Sequence, residues 1–539
     1  MANPSLQIGD SNWAIKEDNL LGYSKAGTRF VPQPITMTRA SAGTRVNSEG
    51  IVETVELLGS ELVTNGDFAN GTSGWTTSGG WSITDKATNS GSGGRIYPTS
   101  NSWTSGVTVR FSLTVSNRTT GYIRIQNPSV SVYYENNINT NDSFVFEFTT
   151  VDSAGWIIEA VSGFDGDIDN ISAQVFTQNN LARVDYTDGT SSLLVEPERT
   201  NLITYSEEIS QYSKTQTTVI DNNTTSPDGT VNASKVTKNG VSENDRVYVN
   251  NLVISNTTDY SLSAFIKNDD IVTGGVTTIG ARIASGTLFR QGYEWNGSAL
   301  STTTFHQGGT RTNVLLEDYG NGWWKVGFSF ISDGTEADIE IDIDRVNGTD
   351  TTAIFLWGCQ LEEGSYATSY IPTYGTTVTR IQDQYEKTGI SDLINSEEGV
   401  LFLEVAALSD DGTNRYLSIS SSITPSDDYI YFRFMSTSNR VLCRTRVGGN
   451  TINTLEKTIS DTTDFNKYAI KWKSGDYSFW INGVEEGVNT SATIFSAGVL
   501  NQIRFDFSVG SGTFPSKVKQ LQVYDTALTD PELITLTTI

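Results

Sequence analysis

The string best suited to chemistry is Glu336-Ala-Asp338-Ile-Glu340-Ile-Asp342-Ile-Asp344, acids alternating with apolar residues. On a strand, alternate side chains share a face about 7 Å apart. Paired carboxylates on one face can act as nucleophile and general acid on a glycosidic bond. The bland alternative turns Ile339, Ile341 and Ile343 into a core and leaves the acids in water. It is the expected one, since Trp323-Trp324 is the only tryptophan-rich neighbourhood nearby. A second acidic string, FDGDIDN, carries Asp165, Asp167 and Asp169, hard oxygen donors of the kind that bind Ca²⁺. Stacking on pyranose C–H faces needs exposed rings. The candidates are Trp81, Trp103, Tyr133 and Tyr134, with Trp323 and Trp324 further on. Adjacent aromatics on a strand face opposite ways, so only one of each pair can be core. Trp75 and Trp480 sit among apolar neighbours and are assigned to cores. His306 is the only histidine, which excludes His-rich metal sites. It lies in TTTFHQGGTR, read as a solvated loop. No phosphate-cradling glycine loop, dinucleotide fingerprint or CxxC pair is present.

Short alternating strands must position these residues. FSLTVS (111–116), GYIRIQ (121–126), SVYY (131–134), SFVFEFTT (143–150), GWIIEAV (155–161) and IDNISAQVF (168–176) follow ELVTNGDFANGTSGW (61–75) with period two and turn-rich breaks. A similar order recurs in NLITYSEE (201–208), DYSLSAFIKN (259–268), GWWKVGFSFISD (322–333) and TAIFLWGCQLEEG (352–364). A third set begins near 390. It contains the hairpin signal Asn482-Gly483 and, at Thr529 with Pro531 and Glu532, the start of one short helix. The reading is all-β: three tandem antiparallel β-sandwich (jelly-roll) domains, 57–180, 181–385 and 386–539, behind an extended segment, 1–56. That segment has too little apolar material for its own core and is expected to anchor or donate strands to a neighbour.

Composition narrows the function. With 36 basic against 62 acidic residues the net charge is −26, so direct nucleic-acid binding, which needs a basic face, is not expected. Cys359 and Cys443 fall in different domains, so a disulfide is not expected, and Cys359 reads as a buried thiol. No basic-then-apolar leader and no 18-residue apolar run appears, so neither an export signal nor a membrane span is expected.

Three stretches carry a family resemblance: TRASAGTRVNSEGIVETVE (38–56), RVDYTDGTSSLLVEPERTNLITYSEE (183–208) and LWGCQLEEGSYATSYIPTYGTTVTR (356–380). They resemble recurring elements of bacteriophage tail and minor structural proteins, in which the first two commonly lie close together. Here 126 residues separate Glu56 from Arg183, so 57–180 reads as an inserted domain. Through VTNGDFANGTSGW the insert is similar to carbohydrate-binding modules with a galactose-binding-like jelly roll. Through WINGVEEG and VKQLQVYDTALTDPEL the last domain resembles laminin-G-like, concanavalin-A-type sandwiches. The resemblance implies a non-enzymatic virion protein of tail or capsid, assembled in the host cytoplasm and released by lysis. Its implied partners are other virion proteins, further copies of itself and a host-surface glycan. Capsid decoration or connection without glycan affinity is the alternative, and polysaccharide hydrolysis a distant third. No cofactor is required. A structural Ca²⁺ is implied in the insert near Asp67 and Asp169, with Asp165 and Asp167 as further donors, although Ala69 replaces a frequent acidic ligand.

Overall fold

The structure, a computed structural model, describes the chain apart from residues 1, 11–12, 17–18, 27–28, 131, 240–244, 346–351 and 508–510 and the side chains of 16, 25, 26, 29 and 305–307. It is nearly all β, and the chain divides into two compact units, Glu56–Gln178 and Met1–Val55 with Asn179–Ile539.

Two long strands, Thr108–Gln126 and Ile157–Thr177, organise the unit Glu56–Gln178. They pair with each other along most of their length, with register shifts between Ser116 and Tyr122. Asn117, Gly121, Ser162 and Gly163 take left-handed φ there, so both strands bend from one sheet into the other. One sheet adds Leu57–Glu61 and Asp142–Thr149. The other adds Tyr133–Ile138 on one side and Gly94–Pro98 with Trp75–Thr77 on the other. Period-two alternation sends Val109, Phe111, Leu113, Ile123, Ile125 and Ile158 between the sheets.

In the larger unit, two six-stranded sheets form the central sandwich. One is centred on Glu336–Asp342 beside Val276–Ile283, the other on Ala353–Glu363 beside Asp259–Asn268. Ile279, Ile339, Ile341, Leu262, Phe328 and Ile354 fill the space between them. Cys359 is a buried free thiol there, its pKa pushed up to about 12 by burial. Cys443 lies in a different core, also as a free thiol.

The C-terminal sandwich uses strands from the other end of the chain. Arg29–Thr38 pairs with Gln384–Thr388, and Leu6–Gly9 with Ser516–Tyr524. Through the hairpin Asn19–Ala26/Arg29–Thr38 they join the two halves of the domain into one continuous ladder. Leu6, Ile8, Leu20, Ile35 and Met37 enter its core. Leu6–Gly9, Asn19–Ala26 and Arg29–Thr38 thus donate strands to a neighbour, the second of the two roles expected of the segment 1–56. Open strand edges need partners, and these residues supply them. Its last part, Thr44–Val46 with Val52–Thr54, puts Val46 and Val52 against Phe265, Trp323 and Trp357 of the central sandwich. The turn Asn482-Gly483 has φ of 50° and 84°, the two left-handed residues a type I′ hairpin requires. The helix Asp530–Thr537 begins at Thr529, whose N–H donates to Glu532 at 2.9 Å.

The three stretches that carry the family resemblance converge in one buried ionic junction. Arg39 and Arg183 both bind Asp383, the former at 2.7 Å, while Arg183 (2.6 Å) and Arg380 (2.9 Å) bind Glu196. Ser369 donates to Glu196 through its N–H at 2.8 Å and its hydroxyl at 2.7 Å. Burial alone would raise both carboxyls, but the surrounding guanidinium groups outweigh it and hold Asp383 and Glu196 below the usual carboxylate range.

Candidate functional site

The outer face of one sheet of the inserted unit combines tyrosine rings with hydrogen-bonding groups. GYIRIQ places Tyr122, Arg124 and Gln126 on that face by alternation, while Ile123 and Ile125 go to the core. RIY places Arg95 and Tyr97 on it around buried Ile96. The strand between them contributes Glu159, directly opposite both Arg124 and Arg95. Glu159 accepts from Arg124 at 2.7 Å and from Arg95 at 3.1 Å. Burial opposes ionisation of Glu159, but these two hydrogen bonds win and its pKa is lowered.

Tyr133, across from Gln126 on the neighbouring strand, is 43% exposed, and the Arg124 guanidinium lies 4.6 Å from its ring centre. Tyr97 sits three strands away, about 14 Å at ordinary strand spacing. The row therefore presents an aromatic face, two guanidinium groups and a carboxylate with tyrosines at either end, on the scale of an oligosaccharide. Polar groups fixed by ion pairs can bond sugar hydroxyls while the rings meet C–H faces.

Of the six aromatics expected to meet sugar, only Tyr133 presents an open ring. Tyr134 faces the opposite way and stacks on Phe148 at 4.2 Å. Trp103, 8% exposed, packs edge-on against both, and Trp81, 5% exposed, lies against Phe164 in the same core. Trp323, 2% exposed, is buried in the central domain, its indole N–H donating to the Thr225 carbonyl. Trp324 is part-buried against the main core, its N–H donating to the Ser298 carbonyl. Each buried indole removes a large apolar area from water, which favours Trp81, Trp103 and Trp323 inside. Arg95, Tyr97, Tyr122, Arg124 and Glu159 were not singled out in the sequence. Alternation in RIY and YIRIQ gave each residue a face, but only strand pairing reveals that the faces coincide.

Each acid expected near calcium has another partner. Asp167 is neutralised by Lys86 at 2.5 Å and also binds Thr88 and Asn117. Asp165 accepts from the Thr119 hydroxyl, Asp169 from the Asn170 N–H and exposed Asp67 from the Ala69 N–H. Among the described residues no group of three or more His, Cys, Asp or Glu is arranged to hold a metal ion.

The acidic strand is also different from expectation. Glu340 and Asp342 are buried rather than in water. Arg282 and Arg290 reach one oxygen of Glu340 at 3.2 and 2.5 Å, and Arg246 takes the other. Asp342 binds Arg290, Arg345 and the Thr278 hydroxyl, yet burial dominates and raises its pKa. Asp338 accepts from the Asn251 N–H. Both oxygens of Glu340 are thus engaged by arginines. His306 belongs to the strand Ala299–Gly308 rather than a loop, and its side chain lies outside the described residues.

Fold and site together define an all-β protein of sandwich modules, one of which carries an aromatic, hydrogen-bonding sheet face. No protein-family model matches the chain, and no curated protein matches it. Solved structures do. The carbohydrate-binding module of the Ruminococcus gnavus IT-sialidase (CBM40), bound to α2,3-sialyllactose, is 20% identical with a TM-score of 0.23, over 26% of this chain and 83% of that one. Mouse laminin α1 domains LG4-5 are 13% identical, with a TM-score of 0.19, over 54% and 92%. The CBM22 tandem of Paenibacillus barcinonensis Xyn10C is 11% identical, with a TM-score of 0.21, over 57% and 98%.

Proposed function

We propose that the protein is a non-catalytic component of a bacteriophage virion, part of a tail or capsid appendage, that binds a host-surface glycan through its inserted module. The observation that carries the glycan reading is the Tyr133 ring on the Arg124–Glu159–Arg95 row, an exposed aromatic beside fixed polar groups. The virion reading rests on the three stretches that resemble phage structural proteins. With it come assembly beside other virion proteins, further copies of the chain, and release by lysis. Engagement of Glu340 by three arginines supports the non-catalytic part.

Glycan-array screening followed by calorimetry on the best hit tests the proposal. Tyr133→Ala should weaken binding about tenfold or more, since losing an aromatic anchor costs about 1–2 kcal/mol. Its melting temperature should hold, because the ring is exposed. A second reading, a connector without glycan affinity, is favoured by one observation: the family-like stretches are spent on a buried junction. Uniformly negative arrays together with incorporation into particles would establish it instead.

A further inference from the structure

The C-terminal sandwich carries a second polar–aromatic face. On the adjacent strands Arg415–Ser420, Tyr429–Phe434 and Arg440–Val447, alternation sends Leu417, Ile419, Ile430, Phe432, Val441 and Cys443 into the core. The opposite side carries Tyr416, Tyr429, Tyr431, Arg433 and Arg444. Tyr429 and Tyr431 stack at 5.2 Å, and Phe507 closes edge-on against them at 5.2 and 5.6 Å. Both tyrosines are buried, so they act as a platform. Arg433 lies 5.5 Å from the Tyr416 ring and 6.0 Å from the Tyr431 ring, and Arg444, its diagonal neighbour on the next strand, lies 6.0 Å from Tyr431. Each arginine has one neutral anchor: Arg433 donates to the Tyr416 hydroxyl at 3.1 Å and Arg444 to the Thr454 hydroxyl at 3.2 Å.

Their ionic surroundings set these two apart. Nearby arginines follow the composition, which supplies 62 acids for 36 bases. Arg415 pairs with Asp411 and Arg440 with Glu456, both at 2.6 Å, and Arg504 with Asp506 at 2.9 Å. Among the described residues neither Arg433 nor Arg444 pairs with a carboxylate. Two adjacent guanidinium groups without an acid, in a chain of net charge −26, leave charge-assisted donors for an outside oxyanion. Ring contact holds each fork in place at small entropic cost, and the part-buried edges of Tyr416 and Phe507 flank them with apolar surface.

We infer that this face binds an acidic saccharide, its carboxylate or phosphate held by Arg433 and Arg444 and its ring against Tyr416 and Phe507. The site is separate from the inserted module and does not rest on the glycan reading proposed for it.

The test is calorimetry on the full chain with trigalacturonate, a mannose 6-phosphate-bearing disaccharide, inorganic phosphate and neutral maltotriose. At least one acidic saccharide should bind about tenfold or more tighter than maltotriose. The double variant Arg433→Gln/Arg444→Gln should lose that binding by about tenfold or more, as expected when an oxyanion loses its charged partners. Tyr133→Ala should leave it unchanged, which separates failure here from failure of the first site. Which acidic saccharide binds identifies the oxyanion. Arg444→Lys keeps the charge and should fold even if the double variant does not. It removes the planar fork and should weaken binding about threefold or more. Equal affinity for maltotriose, binding of inorganic phosphate alone (an adventitious ion only), or affinity unchanged in Arg444→Lys would each overturn the inference.

Discussion

Replacing Asp383 by asparagine tests how the larger unit is held together. Asp383 accepts from Arg39 at 2.7 Å on one oxygen, and from Arg183 and the Glu196 N–H on the other. Both arginines are fully buried and cannot turn to water. An amide would remove the only charge shared between them and aim an N–H₂ at a cation. Breaking a buried ionic network by deleting one partner costs about 3–5 kcal/mol, because the remaining charge stays desolvated. At ~2.1 cal/mol/K per residue, a unit of about 400 residues melting together moves by about 1 °C per ~0.8 kcal/mol, so the midpoint should fall by about 4–6 °C. Differential scanning calorimetry reads this directly. Glu398→Gln, which breaks the exposed Lys473–Glu398 pair, is the control and should cost about 1 kcal/mol or less. If Asp383→Asn shifts the midpoint no more than Glu398→Gln does, the junction is not what ties the family-like stretches together. Acid should act through the same groups. Asp383 and Glu196 have folded-state pKa values below their unfolded ones, so their contribution is complete above about pH 5 and is lost as pH falls further. The acid transition of the wild type should therefore be steeper than that of Asp383→Asn.

Further outcomes follow from where individual side chains sit. Trp103→Ala should destabilise the inserted module by about 3–5 kcal/mol, seen as earlier chemical unfolding, because it empties a core position instead of a sugar platform. Glu340→Ala should lower stability by leaving three arginines without their shared partner, and polysaccharide incubated with the wild type should release no reducing ends in a colorimetric assay. Chelation with EDTA, or added Ca²⁺, should shift the melting of the inserted module by less than about 1 °C, since Lys86 already neutralises Asp167. A larger shift would reinstate calcium.

Local order was legible because it depends on local chemistry. Period-two alternation in FSLTVS, YIRIQ and SFVFEFTT identified strands, Asn482-Gly483 identified a hairpin, and Thr529 with Glu532 identified a helix start. In each case the deciding interactions lie within a few residues. The tertiary structure alone decided which surfaces those strands build. The segment 1–38 closes the C-terminal ladder by pairing with residues near 385 and 520, and no local pattern encodes a partner that far away. Alternation likewise assigned Glu340 a face opposite Ile339 and Ile341 but could not show that Arg246, Arg282 and Arg290, on three other strands, cover it. Tyr133 and Trp103 looked equivalent as rings in a polar sequence. One is open and the other buried because sheet pairing, a long-range interaction, determines which side of each strand meets water.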